Sequence, residues 1–246
     1  MASIHTFSTF ILGLGLATGT AMANPLPYTH GDRDFEGYVA SPEGTPRGTV
    51  LLVHDWDGLT DHERAQADAL AADGYLAVAL DLFGTDAVLA GFDDYRRETG
   101  ALYADRAEFR ARLAAGAEAA TGLEGAGNMV IAGYCFGGAA ALEAARAGLD
   151  MAGFVSFHGG LGTPEGQDYS ATPAPVLVLH GSADPVSGMA DLAALMDELQ
   201  GAGVAHEARI FGGARHSFTV PTSGDWDPEA NAGAQAAFRD FLAARF

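Results

Sequence analysis

The chain alternates short, unbroken apolar runs with longer stretches in which apolar residues recur every three or four positions. The runs are Thr49–His54, "YLAVALDLFG" ending near Asp81, "NMVIAGY", "MAGFVSFHG" and "VLVLHG", and the mixed segment "HEARIFG" predicts one more strand. Short continuous apolar runs bounded by turn residues predict strands buried on both faces. Between them, Thr60 or Asp61 caps a predicted helix. Its Ala65, Ala69, Leu70 and Ala72 share one face, and Gly74 stops it. Asp94 to about Thr121 predicts one or two helices, and Phe136–Ala147, Met189–Gly201 and Pro228–Arg245 predict one each. Ahead of the first buried run, Phe35–Ala40 alternates weakly and predicts an edge strand. Turn-rich Ser41–Gly48 predicts a hairpin loop joining it to Thr49–His54. Strands alternating with helices predict an α/β architecture with a mostly parallel sheet. No Pro/Ser-rich linker divides residues 24–246, so they are expected to form one domain.

In such sheets function gathers in the loops at the carboxyl ends of the strands. One of these holds the only cysteine, in "AGYCFGG". Gly133-x-Cys135-x-Gly137 at a strand-to-helix junction has the spacing of a nucleophile elbow with Cys in place of Ser. Side chains at the two glycine positions would collide across the sharp turn. The helix N-terminus favours thiolate at Cys135, and the Phe136 N–H would face a developing oxyanion. The same segment is also compatible with a tightly packed turn in which Cys135 is a small filler. It fits neither G-x-G-x-x-G nor a P-loop.

A thiol nucleophile needs a base, and "GGARHSF" sets His216 after the last strand. A base needs an orienter, and "HGSADPV" sets Asp184 just past another. Nucleophile, acid, histidine is the chain order of the α/β-hydrolase triad, and Cys135, Asp184 and His216 follow it.

Composition narrows the class further. Hydrophobic residues make up 48% and charged residues 18%, a globular balance. The formal charge of −19, with every basic residue an arginine, argues against nucleic acid or anionic membrane as a partner. "FILGLGLATGTAMA" ends in a small-x-small pattern, so Met1–Ala23 is expected to be a signal peptide and the protein to be exported, periplasmic or secreted. With one cysteine no internal disulfide is possible. His54 and His62 flank Asp57 without the spacing of a zinc site, and neither a metal nor an organic cofactor is expected.

Taken in order, "VLLVHDWDGL", "GYLAVALDLFG", "GYCFGG", "FHGGLGTP", "HGSADPV" and "RHSF" resemble the dienelactone hydrolase family over roughly Gly37 to Phe246. The resemblance implies an α/β-hydrolase fold, with a mostly parallel central sheet and helices on both faces. It also implies a Cys135–His216–Asp184 triad cleaving esters or lactones through a thioester. The family carries an acidic residue close to the resting thiol, and Asp55 takes that place where a dienelactone hydrolase would have Glu. A negative neighbour keeps the thiol protonated until substrate binds. The Trp56 N–H is the implied second oxyanion donor beside Phe136. His158 replaces an aromatic hydroxyl residue. The family also holds a substrate carboxylate with arginines, one of them shortly after the histidine, but "HSFTVP" has none. Arg215 precedes His216, and Arg96 or Arg97 is left as an anion contact. The expected function is therefore hydrolysis of a small-molecule ester or lactone. The alternative is a catalytically weak, envelope-associated binding protein on the same fold.

Overall fold

A computed structural model describes residues 24–246; the expected signal peptide lies outside them. Within these residues eight strands form one sheet: β1 Asn24–His30, β2 Arg33–Ala40, β3 Thr49–Val53, β4 Leu76–Leu80, β5 Met129–Tyr134, β6 Gly153–Phe157, β7 Val176–Gly181 and β8 His206–Phe211. Their spatial order is β1-β2-β4-β3-β5-β6-β7-β8. The pairs β1/β2 and β2/β4 are antiparallel, and every later pair is parallel. Strands β3 to β7 are buried at every position, which is why they read as unbroken apolar runs.

Two sequence expectations are corrected. Phe35–Ala40 belongs to a longer strand that is not an edge, because β1 covers it with Asn24 opposite Val39 and His30 opposite Arg33. Nor is Ser41–Gly48 a hairpin loop. It carries the chain past β4, which lies between β2 and β3, so the strands it connects are not neighbours.

Among the described residues, six helices cover the sheet: α1 Asp61–Ala72, α2 Phe92–Ala104, α3 Arg106–Thr121, α4 Phe136–Arg146, α5 Met189–Gly201 and α6 Pro228–Ala243. Val50 and Leu52 of β3 pack with Leu70 of α1 and Phe238 of α6 on one face. Leu51 and Val53 pack with Leu113 of α3, Leu142 of α4 and Leu195 of α5 on the other. Alternate residues of one strand thus feed two separate cores. The Asp94–Thr121 stretch is two helices because Asp105 ends α2 and caps α3, its carboxylate accepting the Glu108 N–H at 3.0 Å.

Helix α4 is buried along its whole length. Its one acidic residue, Glu143, is fully buried and is held by Arg110 Nε at 2.6 Å, Arg146 Nη2 at 2.8 Å and Arg106 Nη1 at 3.1 Å. An unpaired carboxylate there would be prohibitively costly. Three guanidinium groups make it an anchor between α3 and α4.

Parallel register brings the carboxyl ends of the central strands level, with Val53 opposite both Leu80 and Gly133. The order turns around at β3: β4 lies on one side of it, and β5 to β8 run outward on the other. The loops after β3 and β5 therefore meet at the crevice where ligands bind in open α/β sheets.

Candidate active site

Cys135 is the residue between β5 and α4, and its backbone is strained, with φ 50° and ψ −108°. The turn closes only because its flanks are glycine. A Cβ on Gly133 would stand 2.2 Å from the Gly137 carbonyl oxygen, and one on Gly137 would stand 2.1 Å from that of Val53. The Phe136 N–H, first of the helix, favours thiolate at Cys135, although burial outweighs it.

The three residues ordered along the chain as nucleophile, acid and histidine meet in space. His216 Nε2 lies 2.9 Å from Cys135 Sγ, and His216 Nδ1 lies 2.8 Å from Asp184 Oδ2. The other carboxylate oxygen of Asp184 accepts the N–H groups of Val186 at 2.8 Å and Ser187 at 3.2 Å. Burial opposes the Asp184 charge, but His216 and these two amides outweigh it and hold the carboxyl below its usual range. With an ionised acceptor at Asp184, the Nδ1–H tautomer is favoured and Nε2 is left free to take a proton from sulfur.

Asp55 is buried beside the thiol. Burial raises its carboxyl to about 7 against the help of the Trp56 N–H, and the nearby Asp57 and Glu63 push the same way. Burial, followed by the Asp55 charge, raises the Cys135 thiol well above its ordinary value. The resting nucleophile candidate is therefore a neutral thiol. The Trp56 N–H donates to Asp55 Oδ1 at 2.5 Å, so this candidate oxyanion donor is occupied until the carboxylate moves.

A stability prediction follows from Asp55. Its native value of about 7 exceeds the ordinary 3.8, so the folded protein holds a proton that the unfolded chain releases between pH 4 and 7. Stability is lost as pH rises through that window. Asp55→Asn removes the effect. Its advantage over wild type in urea unfolding should be near zero at pH 4 and reach up to about 4 kcal/mol at pH 8. An advantage that does not change with pH would contradict this.

His158 links the Cys135 backbone to the loop that carries His216. Its ring is fully buried, and its φ of 38° is unusual for a residue with a side chain. Nδ1 accepts the Cys135 N–H at 3.2 Å, which fixes the ring proton on Nε2, 2.8 Å from the Thr219 hydroxyl. Burial, with the His216 ring next to it, holds its pKa well below the ordinary value and keeps it neutral. Arg215 turns away to pair with Asp225 at 2.8 Å. His54 is engaged at both ring nitrogens, with the Asp55 carbonyl at 2.6 Å and the Leu82 N–H at 3.1 Å. Among the described residues no group of three or more His, Cys, Asp or Glu side chains is arranged to hold a metal ion.

Above the thiol opens a cleft of about 440 Å³, a size usual for small-molecule sites. Its walls include Trp56, Phe92, Tyr103, Phe136 and Val186, and Arg96 is the one arginine among its lining residues, which include no Asp, Glu or Lys. Helix α2 supplies Phe92, Arg96, Thr99 and Tyr103, none of which stood out in the sequence except Arg96.

A model of the dienelactone hydrolase family matches residues 35–246. The chain belongs to that family. Among solved structures it is similar to a dienelactone hydrolase-like promiscuous phosphotriesterase from metagenomic libraries. That match has 32% identity and a TM-score of 0.87 and covers 93% of this chain and 100% of the other. A protein designated m3DLH matches at 30% identity with the same TM-score and the same coverage. A putative dienelactone hydrolase from Klebsiella pneumoniae shares the fold at 21% identity and TM-score 0.80, covering 92% of this chain and 99% of the other. No curated protein is significantly similar in sequence. As a dienelactone hydrolase family member with an α/β-hydrolase fold, the chain is an ester hydrolase.

Proposed function

We propose that the protein hydrolyses small-molecule carboxylic esters or lactones through a thioester on Cys135, with His216 as base and acid and Asp184 orienting it. One observation carries the reading: sulfur, imidazole and carboxylate lie in an unbroken chain of 2.9 and 2.8 Å contacts at the floor of the cleft. His216 Nε2 takes the thiol proton as sulfur bonds to the carbonyl carbon, and the carbonyl electrons move onto oxygen. The Phe136 N–H holds that oxyanion. The Trp56 N–H joins it once the incoming oxygen displaces the Asp55 carboxylate. Collapse of the intermediate expels the alkoxide, which takes the proton from His216. Water, deprotonated by the same imidazole, then cleaves the thioester and restores the thiol.

Family membership supports ester chemistry, and the raised thiol supports a nucleophile activated only within the complex. Export of the chain, with cleavage after Ala23, belongs to the same proposal and rests on the leader's sequence alone. The test of the mechanism is acid quenching during turnover of an activated aryl ester, followed by peptide mass mapping. One acyl group is expected on the peptide containing Cys135. Turnover with the acyl group on another residue would refute the thioester.

A further inference from the structure

Resting on that hydrolase reading, we infer that the cleft selects esters with an uncharged aromatic or similarly bulky apolar group and discriminates against substrates bearing a free carboxylate. The observation is an apolar collar. Few large hydrophobic side chains remain exposed in the described residues, yet Phe92 at 56%, Val186 at 63% and Tyr103 at 37% converge on the mouth of this one cleft. Convergent exposed apolar groups mark a binding surface. The collar is also braced. The Trp56 ring meets Phe92 edge-on at 4.8 Å and Tyr95 at 5.3 Å, so the aromatic wall exists before ligand arrives. Thr99, on the same wall, spends its hydroxyl proton on the Tyr95 carbonyl at 2.8 Å.

Charge points the same way. Arg96, the wall's cation, lies with its guanidinium over the Phe92 ring, 4.7 Å from the centroid, where it extends the flat wall. Its neighbour Arg97 is bound to Asp94 and Glu98. The position after His216 that would carry an arginine in a dienelactone hydrolase lies in Ser217–Pro221, which has none. Below the wall, Asp55 borders the thiol, in a chain of formal charge −19. A carboxylate entering this cleft would lose water to apolar walls and, once Asp55 ionises above about pH 7, face like charge at its floor.

The test uses two matched substrate pairs. 4-Nitrophenyl hexanoate against the 4-nitrophenyl half ester of adipate varies the acyl side. Phenyl acetate against 4-carboxyphenyl acetate varies the alcohol side. The uncharged member of at least one pair should be favoured by at least about tenfold in kcat/KM. Phe92→Ala and Val186→Ser should each raise KM for the favoured ester several-fold more than they lower kcat, because neither side chain touches the reacting atoms. The inference is overturned if the carboxylate members are turned over as well or better. It is also overturned if Arg96→Gln moves the ratio further toward the uncharged esters, which is the signature of a guanidinium holding a carboxylate. Binding of phenyl acetate and 4-carboxyphenyl acetate to Cys135→Ala, read by tryptophan fluorescence, separates the two claims. If wild type hydrolyses none of these esters, the hydrolase reading fails. The cleft's preference is then judged by whether the uncharged compound still binds more tightly.

Discussion

Cys135→Ala is expected to lower kcat/KM for any ester the protein hydrolyses by at least about 10⁴-fold, close to background. Alanine keeps the Cβ and so keeps the φ of 50° that the elbow imposes. The Phe136 N–H and the cleft walls are also untouched. What disappears is the atom that forms the bond to the carbonyl carbon and the proton that His216 Nε2 receives across 2.9 Å. The melting temperature should therefore stay within a few degrees of wild type while turnover vanishes, a combination that a folding defect does not produce. Cys135→Ser should recover little, because a hydroxyl is far less acidic than a thiol and must surrender its proton to the same imidazole. Initial rates for wild type and both variants, with unfolding curves on the same samples, decide the matter. An alanine variant retaining more than about a hundredth of wild-type activity would mean that the attack comes from elsewhere.

How far the sequence reveals this site depends on the range of the interactions that build it. The elbow is legible because its causes are local: two glycines, a buried strand before them and a buried helix after. The proposed triad is legible because Cys135, Asp184 and His216 each follow a strand that reads as one apolar run or closes the sheet, and chain order does the rest. Strand β1 is harder to see. Pro25 and Pro27 break the strand signal, although Leu26 and Tyr28 keep the inward period of two. The misread hairpin has a different origin, since a turn-rich segment says that the chain changes direction but not which strand comes to lie alongside. The division at Asp105 had a visible signal, an aspartate with its capped amide three residues on at Glu108, set inside a continuous helical composition.

Three features of the site were out of reach because they are set by side-chain rotamers or by distant packing. Trp56 was expected as a free oxyanion donor, yet its N–H is taken by the carboxylate of the preceding residue, a matter of one torsion in Asp55. The His158–Thr219 hydrogen bond joins residues 61 apart. The aromatic wall draws on α2, whose Phe92 is exposed at the cleft and so has no counterpart in the core pattern.

Asp184→Asn probes the same machinery without removing a reacting atom, and kcat should fall by about 10⁴-fold. The Val186 and Ser187 amides both donate to Asp184 Oδ1, at 2.8 and 3.2 Å. In the variant that position must remain an oxygen, which turns the side-chain NH2 toward His216 Nδ1, where Oδ2 stood at 2.8 Å. An amide NH2 only donates, so Nδ1 must give up its proton and accept. The ring proton then moves to Nε2 and points at the Cys135 sulfur, leaving no base for a thiol already held in its protonated form by burial and by Asp55. Volume and backbone hydrogen bonds are retained, so the fold should survive and KM should change less than kcat. Residual activity should climb with pH across the alkaline range, because there thiolate forms without help from the imidazole. A variant within about tenfold of wild type would reduce the Asp184–His216 contact to packing. A large loss with no alkaline recovery would instead place the defect in the oxyanion donors, since thiolate supply would no longer limit the rate.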